Sequence, residues 1–379
     1  MIETPERQAL ATAMKQFVGR EILPHLSAWE RAGEIPREVH REIAKAGLFA
    51  IGFPEEIGGD GGDTVDMVIA TEAFLEAGGS SGAHAALFTH GIALPHIIAS
   101  GNEDLIDRYV RPALAGERVC SLGITEPDAG SDVAHLRTTA VRDGDDYVVN
   151  GAKMFITSGV RADFVTTAVR TGGPGASGIS LIVIDKDTPG FTVSRKLDKM
   201  GWLASDTAEL SFADARVPAR NLVGPENAGF MLIGQVFVPE RIIAAVHAYS
   251  VAQRCLDLTL EYARERETFG RPLIARQVVQ HKLIQMRQRI ELARTYTREV
   301  ARRHAAGDFV AGEVCLAKNA AVDTCKYVVD EAVQLHGGMG YMRESEVERH
   351  YRDTRILGIG AGATEVMTDL AAKIFGYGR

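Results

Sequence analysis

Apolar positions along the chain follow two different periods, and the changes of period divide it into three stretches. In residues 1–118 the spacing is helical: Val65, Val68, Ile69 and Ala73 fall at i, i+3, i+4 and i+8, one stripe along a helix. Gly47, the glycines at 58, 59, 61 and 62, Gly78, Gly79 and Gly101 punctuate this stretch as helix C-caps and loops. Residues 225–379 return to the helical period. Val279, Leu283, Met286, Ile290 and Ala293 repeat at 4-3-4-3, the seam of an antiparallel bundle or subunit contact. Ala321, Cys325, Val328 and Ala332 make a second stripe, stopped by Gly337 and Gly338.

Between them, residues 119–224 show strand-like runs at 164–169, 179–184, 191–193 and 209–212, separated by turn residues with no helical pattern. Tyr147-Val-Val149 runs into Asn150-Gly151 and on into Lys153-Met-Phe-Ile156, which predicts a hairpin turning at 150–151. Gly173-Pro-Gly-Ala-Ser-Gly178 matches a dinucleotide-binding pattern, but a strand-like run follows it. A phosphate site of that type needs the N-terminus of a helix, so this segment is expected to be a hairpin loop. The expected domains are 1–118 helical, 119–224 β and 225–379 helical.

Composition narrows the partners. A formal charge of −8 over 379 residues disfavours nucleic acid or an anionic membrane as the main partner. No uninterrupted apolar run reaches the ~18–20 residues of a membrane span. The four cysteines, Cys120, Cys255, Cys315 and Cys325, lack paired spacing of the zinc or redox kind, and no metal site is expected. The first residues lack the basic and apolar regions of a secretory signal. A cytoplasmic location is the expectation.

Candidate chemistry begins at Leu122-Gly-Ile-Thr-Glu-Pro-Asp-Ala-Gly-Ser-Asp132. Glycines with Thr125 and Ser131 can form a concavity of main-chain N–H groups and hydroxyls that holds a ligand; on composition alone, an interdomain turn fits as well. The segment resembles the first signature of the acyl-CoA dehydrogenase family, departing from it at His135. Asn150-Gly-Ala-Lys-Met-Phe-Ile-Thr157 is similar to that family's flavin-facing strand, Arg266-Glu-Thr-Phe-Gly270 with Gln277 to its segment across a dimer interface, and Gln334-Leu-His-Gly-Gly-Met-Gly-Tyr341 through Asp353 to its second signature. The likeness covers almost the whole chain. It implies an α+β multidomain fold with an N-terminal helical domain, a middle β-barrel or sandwich and a C-terminal four-helix bundle.

The resemblance also implies FAD as cofactor, an acyl-CoA substrate, an electron-transfer flavoprotein as acceptor, and a homo-oligomer, either a dimer or a dimer of dimers forming a homotetramer. The implied FAD-binding residues are Leu122, Thr125, Gly130, Ser131, Phe155, Ile156 and Thr157. A second group, Arg266, Thr268, Phe269, Gln277, Gln334, Gly337, Gly338, Thr364 and Glu365, completes the set, and Arg266, Phe269, Gln277 and Gln334 would serve a neighbour's FAD. Phe155 would cover the flavin, although as a residue it also fits plain barrel core. His336 receives no role.

One departure is informative. The family's usual catalytic Glu lies in Tyr-Glu-Gly-Thr, which here is Gly360-Ala361-Gly362-Ala363. Pro239-Glu240-Arg241 resembles the long-chain and isovaleryl branches, whose base sits on a helix instead. Glu240 is therefore the expected base, with Ser131, Phe237, Arg241 and Ala361 at the substrate. Arg241 fits two roles equally, holding the substrate's phosphates or steadying the helix. The implied reaction is α,β-dehydrogenation of an acyl-CoA to the trans-2-enoyl-CoA. The alternatives are a flavin-dependent monooxygenase on the same fold, an acyl-carrier-protein-linked dehydrogenase, or a non-enzymatic interaction protein.

Overall fold

The long helix α2, Gly229–Glu265, organises the packing. It lies against α1, Thr64–Glu76, from the N-terminal stretch, and against α3, Gln277–Ala305, and α4, Ala311–His336, from the C-terminal one. A computed structural model describes residues 4–377. α1 starts at a capping box, in which Asp63 accepts from the N–H groups of Val65 and Asp66 while Asp66 accepts from that of Asp63. All four residues of the stripe beginning at Val65 are buried, but so are most of α1's other positions, because the helix is surrounded.

One apolar cluster runs from Met14 through Phe74, Val246 and Tyr249 to Met286 and Val328, so the first and last stretches share a core. Within it, Tyr249 Oη donates to Glu72 Oε1 at 2.6 Å, and Arg298 grips the same carboxylate with contacts of 2.9 and 2.6 Å. Both C-terminal stripes read from the sequence are buried. α2 is long and apolar enough to cross a membrane by length and composition. In this fold its apolar residues, such as Ile242, Val246 and Val251, belong to the shared core.

The middle stretch is an eight-stranded sheet. Its strands are β1 Cys120–Gly123, β2 Thr139–Asp143, β3 Asp146–Thr157, β4 Phe164–Arg170, β5 Ile179–Asp185, β6 Phe191–Lys196, β7 Thr207–Pro218 and β8 Leu222–Val223. They are ordered β6-β7-β3-β2-β4-β5-β8, with β1 parallel to β4. Residues 173–178 do lie in the antiparallel β4–β5 connection, as a hairpin loop.

The turn expected at Asn150-Gly151 is not there. β3 continues through both residues, and the hairpin closes at Gly144, which has φ 62°, with Asp143 opposite Asp146. Asn150-Gly151 forms a bulge instead: the register with β7 slips between Val149 and Gly151. Gly151 has φ 146°, and a Cβ there would meet Thr138 Oγ1 at 2.6 Å. Asn150 spans the bulge, donating to Asp214 Oδ1 at 3.0 Å and accepting from the Asp214 N–H at 2.8 Å. The Asp-Gly-Asp sequence a few residues earlier supplies the tighter turn.

Candidate active site

One wall of the site is built on the end of β1 and on β3. The Thr125 carbonyl accepts from the Met154 N–H at 2.8 Å, tying the 122–132 loop to β3. Beneath the loop lies a buried ion pair. Lys153 Nζ donates to Glu126 Oε1 at 2.6 Å and to the Ile124 carbonyl at 3.1 Å. The Glu126 carboxylate accepts from the N–H groups of Arg137 and Thr138 at 2.6 and 3.0 Å. Burial pushes the Lys153 ammonium down to about 8 against the pull of Glu126. Burial acts to raise the Glu126 carboxyl, but the Lys153 charge and these donors hold it below its ordinary value. A fully bonded pair of this kind fixes the loop's shape. It leaves Leu122 and Thr125 half-buried and Gly130 and Ser131 on the surface.

A second register slip in β3, between Lys153 and Ile156, turns Phe155 outward. Phe155 has φ 61° and is 61% exposed. A bulky residue in the left-handed region costs ~1–3 kcal/mol and persists only where its surroundings impose it. Ile156 points into the sheet core, so only its main chain remains available to a ligand. Thr157 follows, half-buried, its carbonyl accepting from Ser121 Oγ at 2.8 Å.

A second group of candidates lies on α2 and α4. Pro239 lies inside α2 and has no N–H, which leaves the Gln235 carbonyl without its usual intrahelical donor. Glu240 is next. Burial pushes its carboxyl up to about 7, although the charges of Arg241 and Lys318 pull it down. Arg241 sits 5.3 Å from the Phe237 ring centroid, and its buried Nε has no hydrogen-bond partner among the described residues. Lys318, fully buried on α4, donates to the Gly360 carbonyl at 2.9 Å and also to the Gly362 carbonyl. Between those carbonyls Ala361 has φ 52°. Among the described residues its N–H has no acceptor.

The remaining candidates lie elsewhere. Arg266, Phe269 and Gln277 are exposed around a short hairpin of β9, Glu267–Thr268, and β10, Arg271–Pro272. Phe269 is 97% exposed at φ 50°, with Arg276 5.5 Å from its ring centroid. Arg276 also donates to the Thr268 carbonyl at 2.6 Å. Gln334, Gly337 and Gly338 are exposed at the end of α4, and a Cβ on either glycine would meet nothing within 4 Å. Thr364 is half-buried with Oγ1 3.4 Å from the Gly358 carbonyl, and Glu365 is exposed. Among the described residues, no hydrogen bond or ion pair joins Arg266, Phe269, Gln277 or Gln334 directly to Glu240, Arg241 or Lys318. His336 is a structural histidine: Nδ1 lies 2.7 Å from the Ala332 carbonyl, and the ring stacks on Tyr262 at 4.4 Å. No group of three or more possible metal ligands exists among the described residues.

An uncovered aromatic ring on β3, the Thr125 and Ser131 hydroxyls, and an unengaged N–H at Ala361 suit a planar ring system with polar edges. Three family profiles match the chain: acyl-CoA dehydrogenase, N-terminal domain, over residues 4–117, middle domain over 121–215 and C-terminal domain over 227–375. The chain belongs to the acyl-CoA dehydrogenase family. Its cofactor is FAD. The mouse long-chain specific acyl-CoA dehydrogenase is 35% identical over 376 residues, covering 98% of this chain and 87% of that protein. A probable acyl-CoA dehydrogenase of Mycobacterium abscessus, solved by crystallography, is 64% identical with TM-score 0.98, covering 99% of this chain and 100% of that one. A chain from a structure described as the electron-transferring flavoprotein of Acidaminococcus fermentans is 32% identical with TM-score 0.94, covering 98% of each.

Sequence reasoning did not single out three buried charged residues that this acyl-CoA dehydrogenase places beside the candidates: Glu126, Lys153 and Lys318. One signal was available for the last. Lys318 lies three residues before Ala321 on the stripe that continues to Cys325 and Val328, a buried position for a charged residue.

Proposed function

We propose that this protein dehydrogenates an acyl-CoA to its trans-2-enoyl-CoA with Glu240 as the base. The observation that carries the assignment of the base is the place of Glu240 on α2, within range of the charge of Lys318, which holds the loop where Ala361 offers no carboxylate; burial, which raises the Glu240 carboxyl, supports it. A thioester α-proton is too weak an acid for a carboxylate at its ordinary value. A raised carboxyl that is half-ionised near neutral pH is a better match for the transfer. Glu240 takes the α-proton, and the Ala361 N–H donates to the thioester oxygen as negative charge develops there. Bound FAD supplies the acceptor for the β-hydrogen as hydride. Thr125, Ser131, Phe155, Thr157 and the main chain of Ile156 hold the flavin end of the cofactor, and Phe237 and Arg241 line the substrate side.

In this reading the protein works as a homo-oligomer. The exposed Arg266, Phe269, Gln277, Gln334, Gly337 and Gly338 serve a neighbouring subunit's FAD, Arg266 through its fit to phosphate. An electron-transfer flavoprotein takes up the electrons; the likeness to the Acidaminococcus chain supports that partner. Product analysis tests the reaction. Incubated with butyryl-, octanoyl- or palmitoyl-CoA and an artificial electron acceptor, the enzyme should yield a thioester lighter by two hydrogens. A product heavier by one oxygen, formed with oxygen consumption, would make it a monooxygenase.

A further inference from the structure

Among the described residues, Lys318 is a buried cation with no carboxylate in direct ion-pair contact. Its side chain is fully buried, and no ion pair among the described residues includes it. Burying an ammonium costs several kcal/mol unless other groups satisfy it. Here the satisfying groups are two main-chain carbonyls, those of Gly360 and Gly362, on either side of Ala361. The next residue on α4 grips the same segment: Asn319 Nδ2 donates to the Thr364 carbonyl at 3.0 Å and to Thr368 Oγ1 at 3.1 Å. One turn of α4 therefore fixes both the loop and the start of the final helix, Thr364–Ile374.

The geometry of one peptide group turns this grip into a function. The Gly360 carbonyl and the Ala361 N–H belong to the same peptide unit, which is planar and trans. In such a unit the C=O and N–H point in opposite directions. An ammonium donating to the carbonyl at 2.9 Å therefore aims the N–H away from α4, and its charge polarises that N–H as a donor. The second contact, on Gly362, prevents the loop from rotating about Ala361, whose φ of 52° is unfavourable for a residue with a Cβ. Among the described residues the N–H so aimed has no acceptor.

We propose that Lys318 is a positioning residue for the reaction: it orients the Gly360–Ala361 peptide so that the Ala361 N–H faces the thioester carbonyl oxygen. The inference rests on the dehydrogenase reading and deepens it. Without Lys318 the donor is still present, but the Gly360 carbonyl loses the contact that aims it, so stabilisation of the developing enolate falls while ground-state binding of the acyl-CoA changes little. The groups that bear on the Lys318 charge are Arg241 and Glu240 from α2, and Cys315 and Lys326 on its own helix. Burial first, then Arg241, pushes the ammonium down to about 8, with Glu240 and Cys315 opposing.

The test measures anaerobic flavin bleaching in holoenzyme, using whichever of butyryl-, octanoyl- and palmitoyl-CoA reduces the wild type fastest. Lys318→Met, Lys318→Arg and Glu240→Gln are run in parallel. Lys318→Met should load FAD and bind the thioester within about threefold of wild type, yet bleach about 10²-fold more slowly at saturation, the scale of one lost oxyanion donor. Lys318→Arg, which keeps the charge and the donors, should recover most of the rate. Wild-type bleaching should also decline as pH rises through about 8, where the ammonium loses its proton, and Lys318→Arg should move that decline to higher pH. A wild-type rate in Lys318→Met, or an equal loss of binding and rate, overturns the proposal. Should Lys318→Met fail to fold, the alkaline decline decides: its absence in wild type, or its persistence at the same pH in Lys318→Arg, overturns the proposal. Glu240→Gln separates the two claims. If that variant bleaches at the wild-type rate, or none of the three thioesters bleaches the wild type, the dehydrogenase reading itself fails.

Discussion

Replacing Glu240 by Gln should slow the enzyme and stabilise it at the same time. Folding raises this carboxyl from an ordinary 4.5 to about 7, so between those values the folded state binds more protons than the unfolded one. Stability is then fully present below about 4.5, falls as pH rises through the window, and stays reduced above about 7. A shift of that size is worth about 3 kcal/mol at 1.36 kcal/mol per pK unit. Glu240 is only partly buried by surface area, and solvent screening reduces this to about 1–2 kcal/mol. Gln keeps the shape and carries no such penalty. Denaturant unfolding of FAD-saturated enzyme should show the variant and wild type close together near pH 4.5 and the variant ahead by about 1–2 kcal/mol at pH 8. Over the same range, wild-type flavin reduction should rise as Glu240 loses its proton near 7, and the variant should be slower by about 10²–10⁴-fold, the usual contribution of a positioned base. An equal stability gap at both pH values, or a variant less stable than wild type at pH 8, would refute the claim that burial raises this carboxyl.

Further outcomes follow from the same geometry. Lys153→Met strands the buried Glu126 carboxylate and should cost about 3–5 kcal/mol in denaturant unfolding, with FAD retention on gel filtration falling alongside. Arg266→Ala should weaken FAD binding and oligomer assembly together, measured by flavin fluorescence and sedimentation; a monomer with full FAD affinity would contradict the shared site. Ala363 is the N-cap of the final helix and offers no side-chain bond, so Ala363→Ser should add about 1 kcal/mol to unfolding stability.

Much of the fold was legible because its signals are periodic. The stripe from Val279 to Ala293 and the runs at 164–169 and 179–184 read correctly, since burial of one face or of a whole strand leaves a pattern in sequence. Asn150-Gly151 misled because the same two residues suit a bulge and a turn; only the pairing of β3 with both β2 and β7 distinguishes them. Among the candidates, Glu240 and Ala361 were marked in the sequence by the motif departure at 360–363. Lys318 was not, because a lysine in a helix reads as solvated unless its place on the apolar stripe is checked. The Glu126–Lys153 pair joins residues 27 positions apart, and no local spacing reveals it.

The central claim is that an acyl-CoA reduces the flavin of this protein through Glu240. Anaerobic titration of purified holoenzyme with straight-chain and branched acyl-CoA thioesters tests it most directly. The account predicts that at least one thioester bleaches the flavin absorbance in wild type and leaves it unchanged on the same timescale in Glu240→Gln. FAD-loaded wild-type enzyme whose absorbance no thioester changes, or a Glu240→Gln variant that bleaches as fast as wild type, would contradict it.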